Sequence, residues 1–153
     1  MIEINRNAPV TCYKKIIINA NSVDVWKVLT EIDKWPEWQS DIKKARINGP
    51  LEAGTEFDWT SVGLKIHSRI HIVKPYVHFG WTGKGLWMYA IHNWKVVELN
   101  KQTEVIVEES MEGILARLLK IILKKALEKS MVKWLELLKK ECETGSRFKN
   151  NLT

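Results

Sequence analysis

One long stretch limits the folds open to this chain. From Glu112 to Glu143 there is no proline and, after Gly113, no glycine, and the apolar residues recur at helical spacing. Leu115, Leu118, Leu119, Ile122, Leu127, Met131, Trp134, Leu135, Leu138 and Cys142 follow three- and four-residue steps, the pattern of one buried helical face. At about 1.5 Å per residue, such a helix spans roughly 45 Å. Between Ile42 and Ser110 the apolar period is two instead. Leu64, Ile66, Ser68, Ile70 and Ile72, for example, alternate with Lys65, His67, Arg69 and His71, so the latter three face outward to solvent. A run of strands followed by one long helix predicts a curved sheet with the helix laid across it. That shape encloses a space.

The rest of the chain fills in the order. Thr11–Ala20 reads as a first strand because β-branched residues dominate it. Asn21 or Ser22 can cap a short helix holding Val25, Trp26, Val28 and Leu29, with Asp24 in its first turn. Pro36 interrupts the pattern, and EIDKWPEWQS reads as a second short helix or turn. Strands are expected at Ile42–Asn48, Glu56–Val62, Leu64–Val73, around Val77, Phe79 and Trp81, at Leu86–Leu99 and at Gln102–Ser110. Gly49-Pro50, Gly63, Lys74-Pro75, the pair Gly83 and Gly85, and Asn100-Lys101 mark the turns. The expectation is an α+β fold in one domain over residues 1–143: a bent antiparallel sheet of about seven strands gripping the last helix, then a loose polar tail over 144–153.

Composition narrows the function classes. A chain of 153 residues with 45% hydrophobic content buries one normal core, and its eight Trp suit that core or the walls of a cavity. The net charge is +6, and Arg117, Lys120, Lys124, Lys125, Lys129, Lys133, Lys139 and Lys140 all fall on the last helix, partly offset by five Glu. They read first as the solvated face of an amphipathic helix; the sharper alternative is transient contact of the basic helix with an anionic membrane surface or an acidic ligand. Zinc spacing, a helix-turn-helix signal and an aromatic RNA motif are all missing, which argues against nucleic acid as a partner. No window reaches 18 apolar residues, so stable membrane insertion is not expected. The start, MIEINRNAPV, lacks a signal-peptide core, and Cys12 and Cys142 are too few for a disulfide framework; the expected location is cytoplasmic.

The hairpin carries the sharpest local inference. With Asn100-Lys101 as a two-residue turn, Leu99 faces Gln102, Trp94 faces Val107 and His92 faces Glu109. Parity puts Ala90, His92, Trp94 and Val96 on one face with Val105, Val107 and Glu109, and that face is largely apolar, hence concave. A His and a carboxylate opposed in apolar surroundings either satisfy each other structurally or transfer protons. Parity also places Phe57, Trp59, Ile66, Ser68, Ile70, Phe79, Trp81 and Met88 on the concave face, with Ser68 as a polar handle. Trp35 and Trp38 read either as a gate at a cavity entrance or as a packing plug. The four His form no metal-ligand cluster with Cys or carboxylates, and there is no phosphate loop, nucleophile elbow or dinucleotide fingerprint; no metal or cofactor is expected.

Several strings resemble a known superfamily: VWKVLTEIDKWPEWQSDI (Val25–Ile42), GPLEAGTEFDW (Gly49–Trp59), AIHNWKV (Ala90–Val96) and TEVIVEESMEG (Thr103–Gly113). They resemble the helix-grip proteins, which include polyketide cyclases and dehydrases, lipid-transfer domains of the steroidogenic-regulatory type, the birch-pollen allergen and coenzyme Q-binding proteins. They are most similar to the polyketide cyclase/dehydrase and lipid-transport branch, over about residues 10 to 143. The resemblance implies a hydrophobic cavity between sheet and long helix, open at one end. It favours the concave set, with Trp94, Val107, Leu115 and Leu119, as ligand-lining residues. The implied function is binding of a small, mostly hydrophobic ligand. The alternatives are an aromatase/cyclase or dehydratase using His92 and Glu109 as an acid–base pair, and a lipid-transfer protein of the membrane surface.

Overall fold

Val10–Ile18, rich in β-branched residues, forms strand β1 in the computed structural model, which describes residues 1–144. The chain leaves the sheet at Asn21, whose side chain accepts the Asp24 backbone N–H at 2.8 Å and caps helix α1 (Ser22–Thr30). A 3-10 turn (Ile32–Lys34) leads into α2 (Trp35–Trp38), where Pro36 sits in the first turn and its missing N–H costs nothing. Six strands follow: β2 (Ile42–Ile47), β3 (Glu56–Ser61), β4 (Leu64–Lys74), β5 (His78–Gly85), β6 (Met88–Leu99) and β7 (Gln102–Gly113). Helices α3 (Ile114–Leu118) and α4 (Lys120–Thr144) come last. The tail expected at 144–153 lies outside the described residues, apart from Thr144, which ends α4.

The sheet is antiparallel throughout, in the order β1-β7-β6-β5-β4-β3-β2. β1 and β2 are therefore opposite edges, and the segment carrying α1 and α2 crosses from one to the other. Register shifts between Ile42 and Lys44 and between Ile70 and Ile72 mark bulges, which bend the sheet further. α4 buries Leu127, Met131, Trp134, Leu135, Leu138 and Cys142, packing on β1, α1 and α2. Trp35 is fully buried between them. It meets Phe57 edge-on at 5.6 Å and Trp134 at 5.2 Å, and its indole N–H donates to the Leu29 carbonyl at 2.9 Å. Among the described residues, no helix is long and apolar enough to cross a membrane.

The last helix is not the unbroken span expected from Glu112. β7 continues to Gly113, whose φ of 119° turns the chain; a Cβ there would run into the Trp87 carbonyl oxygen. Leu119, at φ −108° and ψ 25°, then separates α3 from α4. Burial on α4 begins only at Leu127. Leu118 (75% exposed) and Ile122 (65% exposed), expected in the core, have no core beneath them. Helical periodicity continues past the point where there is anything to pack against.

Two further differences matter for the site. Gly83 and Gly85 lie within β5 rather than in a turn, and a Cβ on Gly83 would stand 3.3 Å from the Ser68 hydroxyl. The turn falls at Leu86 and Trp87, with φ of 50° and 61°, and the β3–β4 turn has Val62 at φ 49° before Gly63. Such positions favour Gly or Asn, so each of these apolar residues is held there at a cost on the order of 1–3 kcal/mol. His71 sits at the β4 bulge and is half-buried rather than solvated. The Ile2 backbone N–H donates to its Nδ1 at 3.2 Å, and the Asn93 amide donates to the Ile2 carbonyl at 3.0 Å, so the amino-terminal segment lies on the outer face of the sheet. His67 does face outward, bonded to Asp58 at 2.8 Å.

Candidate functional site

The tight turn at Asn100 and Lys101 sets the β6–β7 register, and that register opposes His92 to Glu109. Both side chains are buried, and His92 Nδ1 lies 2.5 Å from Glu109 Oε2. An ionised carboxylate only accepts, so the imidazole donates from Nδ1. The ring is clamped on its face by Trp81, stacked at 4.3 Å with an interplanar angle of 11°, and flanked by Trp94 at 5.4 Å. With one nitrogen committed and the ring plane held, Nε2 is aimed in a single direction. It is buried and has no hydrogen-bond partner within the protein.

His92 and Glu109 both face a cavity of about 390 Å³ between the concave sheet and α4. Trp59, Ile66, Ser68, Trp81 and Met88 line it from the sheet, as does Gly83, whose missing side chain leaves room beside Ser68. Leu123, Leu127, Met131 and Trp134 close it from α4. Val62, Leu64 and Leu86 stand at its exposed end, with Lys65 and Lys84. Ser68 is buried and accepts the Trp59 indole N–H at 3.0 Å, leaving its own hydrogen for a further acceptor. The site is thus a mostly apolar chamber with a stiff aromatic wall, whose polar lining is His92, Glu109 and the serines Ser61, Ser68 and Ser130, with Lys65 and Lys84 at the exposed end.

Seven of the residues expected to line a cavity do so: Trp59, Ile66, Ser68, Trp81, Met88, His92 and Glu109. Trp35, Trp38, Phe57, Ile70, Phe79, Trp94 and Val107 do not; they belong to the packed core. Trp35 and Trp38 act as a plug, stacking edge-on against Trp134 rather than gating an entrance. Leu115 and Leu119 also miss the cavity, whose lining from the last helices begins at Leu123, and Leu123, Leu127, Met131 and Trp134 take their place. Their periodicity was visible, but where along the helix the sheet would sit was not. Gly83 was missed because a glycine between strands reads as a turn.

Other candidate chemistry falls away on burial. The Cys142 thiol is pushed up to about 12 by burial and the Cys12 thiol is raised for the same reason, so neither presents a thiolate nucleophile. Among the described residues no group of three His, Cys, Asp or Glu side chains is arranged to hold a metal ion.

Comparison with known proteins agrees with this geometry. Among solved structures, a hypothetical protein of Helicobacter pylori superposes with a TM-score of 0.80 at 16% identity, covering 94% of this chain and 98% of that one. An aromatase/cyclase from a Streptomyces species gives 0.77 at 14% identity, covering 87% and 93%. A START superfamily protein from Mycobacterium smegmatis gives 0.74 at 13% identity, covering 87% and 97%. At such identities the likeness is one of fold. A search of curated proteins gives no match. The family model described as polyketide cyclase/dehydrase and lipid transport matches residues 9–143, and with nearly the whole chain inside that match and a sheet wrapped on a long helix, the protein belongs to this helix-grip family.

Proposed function

We propose that the protein binds a compact, mostly apolar molecule carrying at least one hydroxyl, held in the cavity by its aromatic and aliphatic walls and oriented by His92. The observation that carries this reading is His92 Nε2: a buried nitrogen without a protein partner, in a residue that lines an apolar chamber. Buried polar atoms are ordinarily paired, and an occupant would supply the missing partner. With Nδ1 given to Glu109, Nε2 is the ring position left for an occupant, and a hydroxyl, which both donates and accepts, suits it. The volume of about 390 Å³ lies toward the lower end of the roughly 300–1,000 Å³ usual for ligand pockets, which favours a molecule of a few rings over a two-chain lipid.

Naphthol and naphthalene make a matched test. The double substitution His92→Phe with Glu109→Leu keeps a ring against Trp81 and removes the polar anchor. Displacement of a fluorescent apolar dye should show naphthol binding weakened about fivefold and naphthalene binding unchanged. Failure of both compounds to bind the parent protein, or equal naphthol binding by the variant, overturns the reading.

A second reading is favoured by the same pair. A carboxylate that fixes an imidazole lining an apolar chamber is an arrangement for general acid–base catalysis, and one structural neighbour is an aromatase/cyclase. Under that reading Glu109→Gln would abolish turnover of a polyketide-type substrate while leaving its binding largely intact. Under the binding reading it would alter affinity alone.

A further inference from the structure

We propose that the open end of the cavity is a docking surface for an anionic lipid bilayer. This deepens the reading above, since it concerns how an apolar occupant would reach the chamber. The six most exposed large apolar side chains among the described residues, from 88% down to 65%, are Trp87, Val62, Leu118, Ile121, Ile114 and Ile122. All of them fall in three segments: the β3–β4 turn, the β5–β6 turn, and α3 with the first turn of α4.

These segments meet around one opening. Val62 and Leu86 line the cavity's exposed end together with Leu123 of α4. Trp87 shares a depression with Gly113, the residue before α3, and α3 packs on β6 and β7. A soluble surface rarely gathers so much apolar area without a partner. The turns add a second observation. Val62, Leu86 and Trp87 occupy positive-φ positions where Gly or Asn would be relaxed, so the chain holds apolar side chains outward at strained tips.

Shape and charge choose the partner. The apolar side chains project from two turns and from the exposed surface of α3 and the first turn of α4, which a fluid bilayer accommodates individually. From Ile114 to Leu127 the charged residues are Arg117, Lys120, Lys124 and Lys125, with no acidic residue, and Lys65 and Lys84 stand at the bases of the two turns. The nearby carboxylate, Glu112, is engaged by the Asn5 amide at 2.9 Å. Tips that insert apolar side chains among lipid tails, with cations at headgroup level, match an interfacial binding mode. A second copy of the chain would bring the same cations face to face. The basic residues farther along α4, from Lys129 to Lys140, are not needed for this contact.

Flotation with vesicles tests the proposal. The parent protein should float with phosphatidylcholine vesicles containing phosphatidylglycerol, float much less with phosphatidylcholine alone, and lose most binding when salt rises from about 0.1 M to about 0.5 M. Trp87→Ser with Ile121→Ser, both exposed and therefore compatible with folding, should weaken partitioning at least about tenfold while dye binding in the cavity persists. Absence of binding to the anionic vesicles, or binding by the double variant equal to the parent's, overturns the proposal. So does a concentration-dependent dimer that the double variant abolishes, because the apolar rim would then serve self-association. Absence of vesicle binding by the parent with its dye binding intact defeats the docking surface alone, whereas absence of dye binding by the parent defeats the cavity reading.

Discussion

His92 and Glu109 depend on each other in a way that single substitutions expose. Glu109→Leu leaves the Nδ1–H of a buried imidazole without an acceptor, which should cost about 1–3 kcal/mol. Adding His92→Phe removes the orphaned donor and keeps a ring on Trp81, so the double variant should recover part of that loss. Urea midpoints of the parent, the two single variants and the double variant measure the coupling; additive losses would mean the two side chains do not stabilise one another. This pair was legible in sequence because a two-residue turn sets parity for every position along both strands. The stacking on Trp81 and the unpartnered Nε2 were not legible, since they depend on β5 lying beside β6 and on the angle at which each ring leaves the sheet.

Among elements, the last helix separates what periodicity can say from what it cannot. The three- and four-residue steps from Leu127 to Cys142 all map to one buried face, so that part of the helix could be read directly. The same steps at Leu115, Leu118 and Ile122 look identical in sequence, yet Leu118 and Ile122 stand in solvent. Apolar residues recruited to a surface and apolar residues recruited to a core share one pattern, and only the extent of the sheet distinguishes them. The consequence is measurable. Leu135→Asp places an unpaired charge in the core and should cost several kcal/mol, of the order of 3–5, whereas Leu118→Asp should stay within about 0.5 kcal/mol. Thermal melts of the two variants decide it, and equal losses would mean that α3 is packed rather than exposed.

For the whole molecule, the outer face of the sheet carries a pH dependence. Residues 2 to 5 lie across several strands: Ile2 is held by His71 and Asn93, while Asn5 is held by the Ser110 hydroxyl at 3.0 Å and by Glu112. None of this was legible in sequence, because MIEINRNAPV has no strand or helix signal and its anchors are more than sixty residues away. His71 is held below its ordinary range, chiefly by burial, with the positive amino terminus acting in the same direction and Asn93 and Glu3 opposing it. Its Nδ1 accepts the Ile2 N–H, and a protonated ring can no longer accept there. The sign follows. A histidine with a depressed folded value binds fewer protons in the folded state, so its contribution is present above about pH 6.5 and is lost as pH falls through the depressed value. His78, lowered by burial and by Lys95 and Lys74, acts in the same sense. His67 acts oppositely: Asp58 raises it, so its contribution is present below about pH 6.5 and is lost as pH rises, though the pair is exposed and contributes little. Acidification from pH 7 to pH 5 should therefore lower stability and free the amino-terminal segment. Amide exchange at Ile2 and Asn5 should accelerate over that range in the parent. In His71→Gln, where the 71 side chain no longer titrates, the acceleration should disappear while the His78 part of the stability loss remains. Exchange at Ile2 that stays constant from pH 7 to pH 5, after correction for the intrinsic rate, would show that His71 does not hold the segment.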